Sequence, residues 1–192
     1  LTFKAAPNFE APADTDTDNA YDVKVTVSDG ALTDAQALTV TETNVNEAPV
    51  IISEDAAEAA ENQTAAATVV ATDADAGDTL TYSLTGGADA ALFDIDGATG
   101  ALTFKAAPDF EVPADGDGNN TYIVEVTVGD GTDTAVQTLT VTVTDVNEAP
   151  VITSAAATEA AENQTAVTTV TATDVDAEET LTFNLSGGAD KA

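Results

Sequence analysis

The chain repeats itself. LTFKAAP stands at Leu1–Pro7 and again at Leu102–Pro108, AENQT at Ala60–Thr64 and Ala161–Thr165, and VNEAPV at Val45–Val50 and Val146–Val151. Each pair is offset by 101 residues, so one period covers all 192 residues. A repeat of this length is a whole small domain rather than one turn of a solenoid. With the proline of VNEAP as the boundary, residues 1–49 are the back half of one unit, 50–150 a complete unit, and 151–192 the front part of a third. No Gly/Ser tract separates the units, so the spacing predicts domains coupled through short segments.

Within the complete unit the hydrophobic pattern has a period of two. Tyr122, Val124, Val126 and Val128 share one face, as do Leu139, Val141 and Val143, with Thr between them. That alternation is the mark of a half-buried β-strand. Shorter strands are predicted at 50–52, 67–72, 79–84, 92–95 and 101–104. The Ala-rich stretch 55–61 is read as extended or irregular chain. About seven short strands with turn residues between them point to an all-β fold of tandem seven-stranded immunoglobulin-like Greek-key sandwiches.

Composition narrows function. The chain has 35 Asp plus Glu against 4 Lys plus Arg, a formal net charge of −31, and neither Cys nor His. Four cations cannot line a phosphate backbone, so nucleic acid is excluded as a partner, and anionic membrane surfaces are disfavoured. Thiolate and imidazole metal sites are excluded too. No apolar run reaches 18 residues, so no direct membrane insertion is predicted. Part of the acid has a plain reading as solubility or suitability for salt. The acids that recur in clusters point instead to hard cations.

Those clusters are Glu61-Asn62, Asp73-Ala-Asp75, Asp109-Phe-Glu111, Gly129-Asp-Gly131 and Asp145-Val-Asn-Glu148. Alone, each reads as turn chemistry, since Asp and Asn bond their own backbone. In this order, together with ATDADAGDTLTYSL, FDIDGATGAL and YIVEVTV, they resemble the cadherin repeat, of the type found in tandem arrays of large bacterial surface or secreted proteins. The resemblance covers essentially the whole chain. Glu148 and Ala149 depart from the family's usual Asp and Asn, and Phe110 from its Arg.

The resemblance implies calcium ions between successive repeats, with neighbouring repeats of the same chain as partners. Carried over by motif, the second junction draws on Glu61, Asp109, Glu111, Asp145, Asn147 and Glu148, with Asp174 and Asp176 from the next unit. The first draws on Asn8, Glu10, Asn44, Asn46 and Glu47, then Asp73, Asp75 and Asp130. Glu162 belongs to a third junction. At comparable positions the second junction has six carboxylates (Asp109, Glu111, Asp145, Glu148, Asp174, Asp176) and the first has four (Glu10, Glu47, Asp73, Asp75). Ligand charge tunes calcium affinity, so the second is expected to bind more tightly.

Two loops, Asp14-Thr-Asp-Thr-Asp18 and Asp115-Gly-Asp-Gly-Asn119, look like calcium loops without the closing Glu of an EF-hand, and are read as solvated loops. The expected function is a non-catalytic, calcium-stiffened spacer or adhesion rod at the cell surface or outside the cell, in a parent that is membrane-anchored or secreted. A homophilic or cell-surface ligand would then bind through other domains. The alternative is a carbohydrate- or protein-recognition module. That alternative needs exposed aromatics, whereas Tyr82 and Tyr122 fall on faces predicted to point inward. Paired acids also serve glycosidases, but here they recur at the unit ends, where no cleft is expected.

Overall fold

The computed structural model describes residues 1–176 and 180–189. Its regular secondary structure is nearly all β; among the described residues the only helical element is a 3-10 turn at Ala90–Leu92. Residues 1–49 contribute one hairpin, β1 (Ala20–Ser28) and β2 (Thr33–Thr41).

The middle unit holds β3 (Val50–Ile51), β4 (Ala56–Ala60), β5 (Ala65–Thr68), β6 (Ala71–Thr72), β7 (Thr81–Gly86), β8 (Phe93–Ile95), β9 (Ala101–Phe104), β10 (Thr121–Gly129) and β11 (Thr134–Thr144). One sheet runs β4-β11-β10-β7. The facing layer is β5-β9-β8, with β3 and β6 paired beside it. This is an immunoglobulin-like sandwich. Beyond it, β12 (Val151–Ile152) pairs with β13 (Ala172–Thr173).

The centre is built by β10 and β11. Their antiparallel register sets Tyr122 opposite Val141 and Val124 opposite Leu139, so both members of each pair point inward. Tyr122, Val124, Val126, Val128, Leu139, Val141 and Val143 are all buried. Across the sandwich, Phe93, Phe104 and Tyr122 form an aromatic cluster with ring centroids 4.3 to 6.0 Å apart. The Tyr122 hydroxyl keeps a polar partner by accepting from the Ala114 N–H at 3.2 Å.

Two features differ from the sequence expectation in detail. The stretch 55–61 carries a true strand: β4 pairs in parallel with β11, from Ala56 opposite Thr140 to Ala60 opposite Thr144. Residues 67–72 are not one strand. The chain leaves β9 at Thr68, Val69 N–H donates to Gly100 O, and Val70 O accepts from Ile52 and Ser53 before β6 joins β3. One continuous apolar run thus serves two ladders.

The hairpin β1-β2 copies β10-β11 one period earlier, with Tyr21 opposite Val40 and Val23 opposite Leu38. No second sheet covers it among the described residues. Val25 and Val27 are therefore 48% and 66% exposed, whereas Val126 and Val128 are 0% exposed. Phe3 packs edge-on against Tyr21 at 5.0 Å and covers one end of the face.

Candidate metal centres at the unit junctions

The carboxylates stand at the ends of the sandwich because the strands deliver them there. Glu61 follows β4 and is 3% exposed. Its Oε2 accepts from Phe110 N–H and its Oε1 from Val146 N–H, both at 2.8 Å. One buried carboxylate thereby ties together the start, middle and end of the unit.

Around it, oxygens of Glu61, Glu111, Asp145 and Glu148 lie within 4.8 Å of one another. The next unit supplies Asp176, whose Oδ2 accepts from Glu148 N–H at 2.8 Å. Its Oδ1 is buried and has no hydrogen-bond partner; the same holds for Glu148 Oε2. Burial, then the charges of Asp176 and Glu61, holds Asp145 above its ordinary range. Glu111 is likewise raised by burial and by Glu61, Asp145 and Asp176. Glu148 is raised by burial, against the Asn62 amide that donates to it, and by Glu61, Asp176 and Glu111.

The remaining residues expected at this junction support that group. Asp109 Oδ1 holds a turn through Val112 N–H at 2.9 Å, Asn147 donates to Glu148 O at 2.9 Å, and Asp174 Oδ1 accepts from Asp176 N–H at 3.2 Å.

At the first junction, oxygens of Glu10, Glu47 and Asp75 converge, and so do those of Asp73, Asp75 and Asp78. Asn44 Nδ2 donates to Asp75 Oδ1 at 2.5 Å and Glu47 N–H to Asp75 Oδ2 at 2.8 Å. These two bonds hold Asp75 below its ordinary range. Asn46 donates to Asp130 at 3.1 Å and to Asp133 at 2.8 Å, which links the far hairpin turn of the middle unit to the boundary. Asn8 holds a local turn, its Oδ1 accepting from Glu10 N–H at 2.9 Å and Ala11 N–H at 3.1 Å. Asp73 Oδ2 is buried without a partner. Glu47 is raised by burial and by Glu10, Asp75 and Asp73. Glu162 is exposed in a strandless stretch.

Sequence reasoning missed Asp78 and Asp133. Asp78 lies in the first cluster with Asp73 and Asp75, and burial with the charges of Asp75, Asp73 and Asp130 raises it. Its only sequence signal was its place three residues after Asp-Ala-Asp. Tyr82 is half-buried, its hydroxyl accepting from Ala71 N–H at 3.3 Å, and Tyr122 is in the core. Neither offers a recognition surface.

Residues 53–144 match the profile of the family described as the cadherin domain. These residues form a cadherin domain. The fold resembles that of extracellular cadherin domains 3-6 of Protocadherin Gamma B2, with TM-score 0.57, 24% identity, and 85% of this chain and 44% of that one covered. It also resembles human CDH23 EC21-23, with TM-score 0.56, 22% identity and 86% and 57% covered. The chain thus spans about half the length of those structures, and the likeness is one of fold. In sequence, 34 residues, 18% of this chain, are 56% identical to Halomucin of Haloquadratum walsbyi (strain DSM 16790 / HBSQ001), covering 0% of that protein to the nearest per cent. Cadherin domains as a family are extracellular, non-catalytic, calcium-dependent adhesion modules. No described helix is long and apolar enough to cross a membrane.

Proposed function

We propose that this chain is a segment of a tandem cadherin array in a large surface or secreted protein, in which calcium at the junctions stiffens a string of sandwiches into a spacer or adhesion rod. The observation that carries this reading is the convergence of Glu61, Glu111, Asp145 and Glu148 of one unit with Asp176 of the next, whose Oδ1 is buried and unpartnered. Buried like charges repel unless a cation neutralises them. The donor set is all oxygen and mostly carboxylate, which suits calcium. Glu61, Glu111, Asp145, Glu148 and Asp176 would hold the ion at the second junction. Glu10, Glu47, Asp73, Asp75 and Asp78 would do so at the first. Asp109, Asp174 and the Asn residues keep the ligand-bearing segments in place.

Calcium chelation is the direct test. X-ray scattering of the full chain should show greater interdomain flexibility and a shorter mean particle after chelation, reversed by added calcium. Identical scattering in the two states would overturn the proposal.

A further inference from the structure

The loop that precedes the long strand of each hairpin contains carboxylates that the junctions do not use. In the middle unit, Asp115 is 8% exposed. Its Oδ2 accepts from Asn119 N–H at 2.8 Å, while its Oδ1 is buried and has no hydrogen-bond partner. Asp117 faces it: that carboxyl is held above its ordinary range first by the hydrogen bond it shares with Asp115, then by burial and by the Asp115 charge. Asn119 bridges the two, its side-chain amide donating to Asp117 Oδ2 at 2.9 Å. Among the described residues the only ion pair is Lys105 with Asp94 at 3.8 Å, so no side-chain cation neutralises Asp115.

The other copy repeats the arrangement with different intervening residues. Asp14 Oδ2 accepts from Asp18 N–H at 2.9 Å, and Asp14 Oδ1 is again buried without a partner. Oxygens of Asp14, Asp16 and Asp18 lie within 4.8 Å of one another. Where the middle unit has the amide of Asn119, this loop has a third carboxylate. A buried carboxylate left with a like charge beside it is costly unless paired or bound to metal. Here the geometry recurs 101 residues apart.

We infer that each of these loops is a calcium site separate from the junctions, held by Asp115, Asp117 and Asn119 in one copy and by Asp14, Asp16 and Asp18 in the other. The site would have a structural consequence. Asn120 Nδ2 donates to Phe110 O at 2.8 Å, so the loop is tied to the segment that presents Glu111 to the junction. A cation in the loop would stiffen residues 112–119 between that segment and β10.

The test is calorimetric calcium titration of the full chain, with terbium as a second probe. The Tyr122 and Tyr21 hydroxyls accept from Ala114 and Ala13 N–H, one residue before Asp115 and Asp14, so terbium in the loops is placed for tyrosine-sensitised emission. Asp115→Asn with Asp117→Asn should lose one equivalent of bound calcium, and adding Asp14→Asn with Asp16→Asn should lose a second, with sensitised emission falling in step. Asp117→Asn alone changes an exposed side chain and keeps the fold, so it must weaken the same equivalent. Unchanged stoichiometry and emission in these variants would overturn the inference. Asp145→Asn with Glu148→Gln, titrated alongside, weakens the second junction and leaves both loops intact, so failure of the junction reading is read separately.

Discussion

Asn44 donates to Asp75 Oδ1 at 2.5 Å, and one period later Asp145 meets Asp176 with a carboxylate in place of the amide. One backbone contact is the same at both joints: Glu47 N–H bonds Asp75 as Glu148 N–H bonds Asp176, each at 2.8 Å. The first joint therefore supplies its own donor, and the second leaves Asp176 Oδ1 without one.

That difference predicts the order of calcium affinity. The second junction should bind more tightly, because it has the anionic Asp145 where the first has the neutral Asn44, and so has more repulsion to relieve. Asp145→Asn should weaken it on the order of tenfold, and Asn44→Asp should strengthen the first junction in calcium while loosening it in chelator. Calorimetric titration of the full chain with each variant measures this; equal affinities in both variants and the parent would refute it.

The sandwich core makes a second prediction through its internal copy. Val126→Ala removes buried methyl groups from β10 and should cost about 2 kcal/mol in a denaturant melt. Val25→Ala, at the equivalent position of the uncovered hairpin, should cost about 1 kcal/mol or less, since its side chain is already half in water. Equal costs would mean that the β1 face is covered in solution.

These contrasts also show what could be read from the chain. The strands β10 and β11 were legible because Val and Leu alternate with Thr, and burial follows that alternation. The strand β4 was not, because Ala56–Ala60 has almost no polarity contrast and its parallel partner lies some eighty residues away. The split of 67–72 into two ladders has no local signal either; it is imposed by Gly100 and Ile52 from elsewhere in the chain. At the junctions, Glu61, Glu111, Asp145 and Glu148 were implied by the resemblance to the cadherin repeat, and the fold brings their oxygens together. Asp78 and Asp133 were not, since a turn aspartate looks the same whether or not a neighbouring unit approaches it.

A backbone approach gives the third prediction. Gly87 has φ +102°, and a Cβ there would lie 2.4 Å from both Ile123 O and Val124 Cα. Neither is a flexible side-chain end, so Gly87→Ala must displace β10 itself. It should destabilise the middle unit by at least about 2 kcal/mol in chemical denaturation. Gly188, the same residue one period on, has φ +110° but would meet nothing within 4 Å. Gly188→Ala should leave the melting of the middle unit unchanged.

The turn between β8 and β9 gives a pH-dependent prediction. Asp96 Oδ1 accepts from Thr99 N–H at 2.8 Å and from Ala98 N–H at 3.0 Å. These backbone bonds, with Thr99's hydroxyl, hold Asp96 below its ordinary value. A carboxyl with a lower pKa folded than unfolded binds fewer protons in the native state, so stability rises with pH across that interval. Its contribution is complete above the unfolded value, about 3.9, and disappears as pH falls through the folded value. Asp96→Asn keeps an acceptor at the turn but removes the charge. The melting temperatures of parent and variant should differ at neutral pH, with the parent higher, and should converge in strong acid. A constant gap across the whole range would show that the turn geometry, and not the ionised carboxylate, supplies the stabilisation.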